Sequence, residues 1–310
     1  MSRIVSRVSP GVCRLSALAF MLLFAGCASL AAAPLATVPL ASATSAVPVA
    51  NAPTGIDALR NALAAEAPAP QPKPAAVEAE VLNLRLAFAV EVPRATHRTA
   101  ASDGAWIARA RAALAASPMV ITRPQLVVVV DRNPAHQEIC IIMARPEGAW
   151  EVIGGTRVST GQAGRFDHYV TPTGVFQHTD AILDYRAEGT FNENHIRGLG
   201  AKGMRVWDFG WHPAQKGWGL VRDTTPIRLE MHATDPAVLE QRIGAPASQG
   251  CVRVPAVMNR FMDKHGVLDA DYEVAAVTDI RYRALLLRDR TPSSLAGDAL
   301  IIVDSSEPSP

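Results

Sequence analysis

The sequence predicts a mainly β fold with short helices, on three observations. "QLVVVVDRN" and "QEICIIMARPEGAWEVIGGTRVSTG" read as three consecutive strands parted by the turns "RNPAH" and "RPEGA", a β-meander. "YVTPTGVFQH" and "TPIRLEMHA" add two more strands, the second ending at His232. The chain has 310 residues, of which 49% are hydrophobic, enough for a buried core without disulfide staples.

Ahead of these strands the composition changes twice. Residues 1–26 carry Arg3, Arg7 and Arg14, then the apolar run "LSALAFMLLFA", the layout of a bacterial export signal. The run is shorter than the roughly 20 residues of a spanning helix and small residues follow it at once, which reads as cleavage. "FAGCAS" resembles a lipobox, with Phe24 in place of the usual leucine, and predicts a lipid anchor on Cys27; the alternative is ordinary cleavage near "LAAAP". The mature protein is expected in the periplasm, free or membrane-anchored. Residues 27–79, rich in Ala, Pro, Val, Ser and Thr, read as a tether, with one short amphipathic stretch at 55–67. About 50 such residues span tens of ångströms as a coil.

Residues 80–123 predict a small preface: "EVLNLRLAFAVEV" alternates as a strand does, and "DGAWIARARAALAAS" is a helix with Asp103 as its cap. The main domain spans 124–283. Within it, residues 184–222 read as a long loop containing Phe191, Trp207, Trp211 and Trp218. "PAVMNRFMDKHG" predicts a helix starting just past Cys251 and aiming its positive end at the thiol. Residues 284–310 give one last strand and a tail.

Without residues 1–26, Lys+Arg falls from 30 to 27 against 29 Asp+Glu, a formal charge of −2 that gives phosphate backbones nothing to bind and argues against nucleic acid. Cys140 lies in the apolar run "EICIIMA" and reads as a buried small hydrophobe. Cys251 lies among glycine and polar residues, so no bridge between the two is expected.

The sequence "MHATDPAVLEQRIGAPASQGCVRV" sets His232 nineteen positions before Cys251. A cysteine attacks an acyl carbon as thiolate, favoured beside an imidazolium or at a helix start. His232 would supply that imidazolium and shuttle the proton. Gly250 lets a substrate carbonyl approach, and the N–H groups of Gly250 and Cys251 are candidates for the oxyanion.

His232, fifteen residues and then "SQGCVR" resemble the signature of the L,D-transpeptidase (YkuD domain) family, and "VSTGQAGRFDHYVTPTGVF" resembles the same family's upstream strand. The chain departs from that pattern at Gln249, where the family has a second histidine, and at Ala233, where it often has glycine. The resemblance implies a YkuD-like β-sandwich catalytic domain. It implies that Cys251 attacks a peptidoglycan tetrapeptide stem, releases the terminal D-alanine and holds the stem as a thioester. An amine of a second stem or of a wall-anchored protein resolves it; water would make the enzyme a carboxypeptidase. Ala233 would orient the imidazole through its carbonyl, as the family's residue there does. Carbapenems are implied inhibitors, and no cofactor or metal is implied. Arg253 is a candidate carboxylate holder, Ser248 and Gln249 loop or substrate contacts, Tyr169 and Trp211 cleft walls. Ser159, Thr160 and Thr173 read as turn residues. Two other readings remain: a non-catalytic wall-binding module, marked by Gln249, and a zinc peptidase on His232 and Asp235, for which no third ligand is legible.

Overall fold

The computed structural model describes residues 73–219 and 223–307; the export signal, Cys27, the stretch 55–67 and nearly all of the tether lie outside them. The expected meander is present. β1 (Gln125–Asp131), β2 (Glu138–Ala144) and β3 (Glu151–Arg157) pair antiparallel in sequence order, and β1 is buried along its whole length. Leu126, Val128 and Val130 point one way and Val127 and Val129 the other, so continuous β-branched residues fill two cores at once.

The domain is sheet-rich, with two mixed sheets. The first has the order β3-β2-β1-β10-β5, with β5 at Gly174–Gln177 and β10 at Ala299–Val303. The second has the order β4-β7-β8-β9, from β4 (Tyr169–Val170), β7 (Arg205–Lys216), β8 (Thr224–Ala233) and β9 (Val252–Val254), while β6 (Tyr185–Arg186) pairs with β7. Between the sheets one core joins Leu126, Ile141 and Leu300 to Trp207, Leu229, Met231, Val252 and Val254. Strand β10 runs parallel to β1 and antiparallel to β5, so the last strand is central to its sheet and a boundary at 283 would cut through it.

The preface is two helices: the expected helix is present, and a second helix stands in place of the expected strand. Residues 74–91 form helix α1 (Pro74–Glu91), not a strand: Val77, Val81, Leu84 and Phe88 recur at helical spacing and are buried in the inter-sheet core. Phe88 lies against Gly154 of β3, where a β-carbon would collide with its ring. Helix α2 (Ala100–Ala115) covers the outer face of the first sheet with Trp106, Ala110 and Leu114. Its cap is Thr99, reciprocally bonded with Ser102, and not Asp103, whose carboxylate takes Arg98 Nε at 2.6 Å.

The segment 184–222 is not one long loop: it contains β6 and all of the twelve-residue β7, joined by an irregular stretch over 187–204. A register shift between Asp208 and Trp211, with Gly210 at φ +83, interrupts the alternation that would mark the strand. Trp207 is 1% exposed in the core, whereas Trp211 is 67% exposed.

Beneath β6 and β7 sits a buried ionic network. Arg205, fully buried, donates from Nε to Asp184 at 2.8 Å and from Nη2 to Asp269 at 3.0 Å, with Asp263 at 3.5 Å. His178 spans Asp184 (2.9 Å) and the Leu268 carbonyl (2.7 Å); burial opposes its charge, but Asp184 holds its pKa above the ordinary value. Asp263 sits on helix α3 (Ala256–Lys264), and helices α4 (Ala270–Thr278) and α5 (Ile280–Leu285) pack Tyr272 and Tyr282 together behind it. Among the described residues no helix is long and apolar enough to cross a membrane.

Candidate active site

Strand β9 builds the site by lying parallel to β8, with His232 beside Arg253 and Met231 beside Val252. Met231, Val252 and Val254 enter the core. Alternation therefore turns Glu230, His232, Cys251 and Arg253 to the outer face of the second sheet. One step back in the same register, Cys251 falls beside Glu230.

The imidazole is fixed. His232 Nδ1 lies 2.6 Å from the Ala233 carbonyl, which can only accept, so Nδ1 carries the proton and Nε2 is the free base. Burial (3% exposed) pushes the His232 pKa down to about 4, with a smaller contribution from the nearby Arg253 charge and against the hydrogen bond to Ala233, which raises it. The resting ring is neutral, not the expected imidazolium.

The thiol is also neutral at rest. Burial pushes Cys251 up to about 11 and the Glu230 charge raises it, against a backbone hydrogen bond from Glu230 and the attraction of Arg253. The helix expected behind it begins only at Ala256, because "VRV" continues as β9 and Pro255 caps the helix after it. The Ala256 N–H goes instead to Glu240 at 3.2 Å. Cys140 and Cys251 are both free, and Cys140 is buried in β2 with its thiol pushed up to about 12.

The loop before the sulfur is tied down from several sides. Ser248 Oγ donates to the Cys251 carbonyl at 2.6 Å and accepts the Gly250 N–H at 3.1 Å, so that expected oxyanion donor is engaged within the loop and the Cys251 N–H remains. Gly250 has φ +128, and a β-carbon there would meet Ile227 Cδ1 at 2.5 Å and Tyr169 Cβ at 3.4 Å. Thr171 donates to the Gly250 carbonyl at 2.8 Å and accepts from the Gly161 N–H at 2.8 Å, which gives the Thr-Pro-Thr-Gly stretch its structural purpose. Gln249 Nε2 donates to the Asp167 carbonyl and carboxylate at 3.3 and 3.4 Å, bracing the loop.

Of the proposed walls, Tyr169 stacks edge-on to Trp218 at 5.1 Å, with exposed Phe166 on the other side at 5.4 Å. Trp211 lies farther along β7, opposite Arg228. Arg253 donates to the Ala247 carbonyl at 3.1 Å. Asp235 accepts the Arg197, Ala237 and Val238 N–H groups and so shapes the turn after β8, a use that the zinc reading did not foresee.

Sequence reasoning missed Glu230, Tyr185 and Asp208. Tyr185 donates to Glu230 at 2.9 Å, and Arg228 Nε donates to Asp208 at 2.6 Å. Burial and then Asp208 raise the Glu230 pKa, while the Tyr185 hydrogen bond lowers it. Glu230 was within reach of the sequence, since it stands two residues before His232 in a strand. Changing Glu230→Gln removes the negative charge beside the sulfur and lowers its pKa, speeding iodoacetamide alkylation of Cys251 at pH 7 by up to about tenfold, the change one pKa unit carries. An unchanged alkylation profile between pH 7 and 10 would remove Glu230 from control of the thiol.

No protein-family model matches the chain, and no curated protein matches it.

Proposed function

We propose that the protein is a cysteine acyltransferase of the L,D-transpeptidase (YkuD) type, on a YkuD-like β-sandwich, acting on peptidoglycan stem peptides. The observation that carries this reading is the parallel pairing of β8 with β9, which turns His232 and Cys251 to one face. The fixed tautomer of His232 supports it further, since its free Nε2 is the nitrogen a general base needs.

With thiol and imidazole both neutral at rest, the sulfur loses its proton to Nε2 as substrate binds. The thiolate adds to the carbonyl of the stem's third residue, and the Cys251 N–H faces the developing oxyanion. Collapse breaks the peptide bond, and His232 returns the proton to the departing D-alanine amine. The thioester then meets an incoming amine, which gives up a proton to Nε2 and restores the thiol. Gln249 holds Asp167 in the loop and takes no part in proton transfer. Export to the periplasm and a lipid anchor at Cys27 complete this reading.

Incubation with purified tetrapeptide stems, read by mass spectrometry, tests it. The expected product is a stem dimer that has lost one D-alanine. Tripeptide alone would make the protein a carboxypeptidase, and unchanged stems would leave only wall binding.

A further inference from the structure

Beyond Arg253, at the edge of the site, lies a cavity of about 350 Å³ lined by Ser159, Arg165, Thr234, Arg242 and Arg253 among others, with no carboxylate in its lining. Among the described residues none of these three arginines forms a salt bridge, in contrast to Arg132, Arg186 and Arg205. Ser159 Oγ, Thr234 Oγ1 and Arg253 Nε are buried with no hydrogen-bond partner. Ser159 and Thr234 are 2% and 1% exposed. Buried polar atoms are rarely left unmatched, and here two hydroxyls and the Nε of Arg253 gather in one cavity with two further arginines, Arg165 and Arg242.

We infer that this cavity is an anion subsite that receives the C-terminal carboxylate of a peptide whose reacting carbonyl lies at Cys251. Guanidinium forks and hydroxyl donors suit a carboxylate and a phosphate alike. Position selects the peptide. Arg253 stands two residues past Cys251 on extended chain, on the order of 7 Å. One further substrate residue, about 3.5 Å long, and the reach of the guanidinium cover that span. The anion site rests on the cavity itself; its assignment to a peptide rests on the proposed acyl transfer. Its use follows from charge. Arg253 disfavours protonation of His232, so a bound carboxylate beside it makes the imidazole a better base as the thiol must lose its proton.

Binding of N-acetyl-D-alanine, N-acetyl-D-alaninamide and inorganic phosphate to the full chain, measured by NMR titration on the Cys251→Ala variant, tests the assignment without any turnover. The acid is expected to bind at least about tenfold more tightly than the amide, and Arg165→Gln or Arg242→Gln to weaken the acid by about tenfold, the share of one charge-assisted bond. Both arginines are exposed, so neither change threatens the fold. Equal binding of acid and amide, or binding of phosphate alone, overturns the subsite. A carbapenem adduct on wild-type Cys251 together with equal acid and amide binding would sink the subsite and leave the acyl transfer standing. Selective acid binding without an adduct would do the reverse.

Discussion

Changing Arg205→Met lowers the stability of the domain by about 3–5 kcal/mol, the usual result of removing one partner from a buried ion pair. The guanidinium is fully buried, and Asp184, Asp263 and Asp269 all turn to it. Methionine fills similar space but leaves those carboxylates with His178 and Arg186 alone. The network also fastens sheet to helix: Arg205 N–H donates to Asn259 of α3 at 3.2 Å, and the Asn259 amide donates back to the Arg205 carbonyl at 2.8 Å. Urea unfolding followed by circular dichroism measures the change. A loss under about 1 kcal/mol would mean that the carboxylates find water or protons when Arg205 is gone.

Changing His232→Ala slows acylation of Cys251 by a factor of about 10²–10⁴, the range one positioned general base contributes. The argument starts from the resting thiol, pushed up to about 11, which is nearly all protonated at pH 7. Without Nε2 the proton has no acceptor at the moment of attack. The same variant has a signature in stability. The folded His232 pKa is about 4 against an ordinary 6.5, so between those values the unfolded chain binds the extra proton and stability rises with pH. Above that window the contribution is fully present; it is lost as pH falls through it. The variant should flatten this slope, as urea midpoints at pH 4.5 and 7 would reveal.

The strands that were legible in the sequence are those whose burial is continuous or alternating over a local window. β1, β2 and β3 announce themselves in "QLVVVVD", "EICIIMA" and "EVIGGTR", and β8 in "TPIRLEMHA". Helix α1 was misread because Leu82, Leu84 and Leu86 alternate over a few residues; only the longer Val77–Val81–Leu84–Phe88 spacing exposes the helix. The extent of β7 was hidden by its irregularity at Gly210. The central place of β10 was invisible for a different reason: its pairing with residues 127–131 is non-local, and no window contains both partners.

The site divides along the same line. His232, Gly250 and Cys251 stand out by type and spacing. Tyr185 and Asp208 join them only through cross-strand register, since Asp208 pairs with Glu230 and Tyr185 with Val206. The ionisation states were also beyond sequence, because their largest cause is burial, which disfavours both the imidazolium and the thiolate.

Intact-mass spectrometry after exposure to a carbapenem, with the modified peptide mapped, asks most directly whether Cys251 is an acyl acceptor. A single covalent adduct on Cys251, absent from Cys251→Ala, is the predicted result. A protein that keeps its native mass, or an adduct that survives the substitution, would contradict the nucleophile on which the proposed reaction depends.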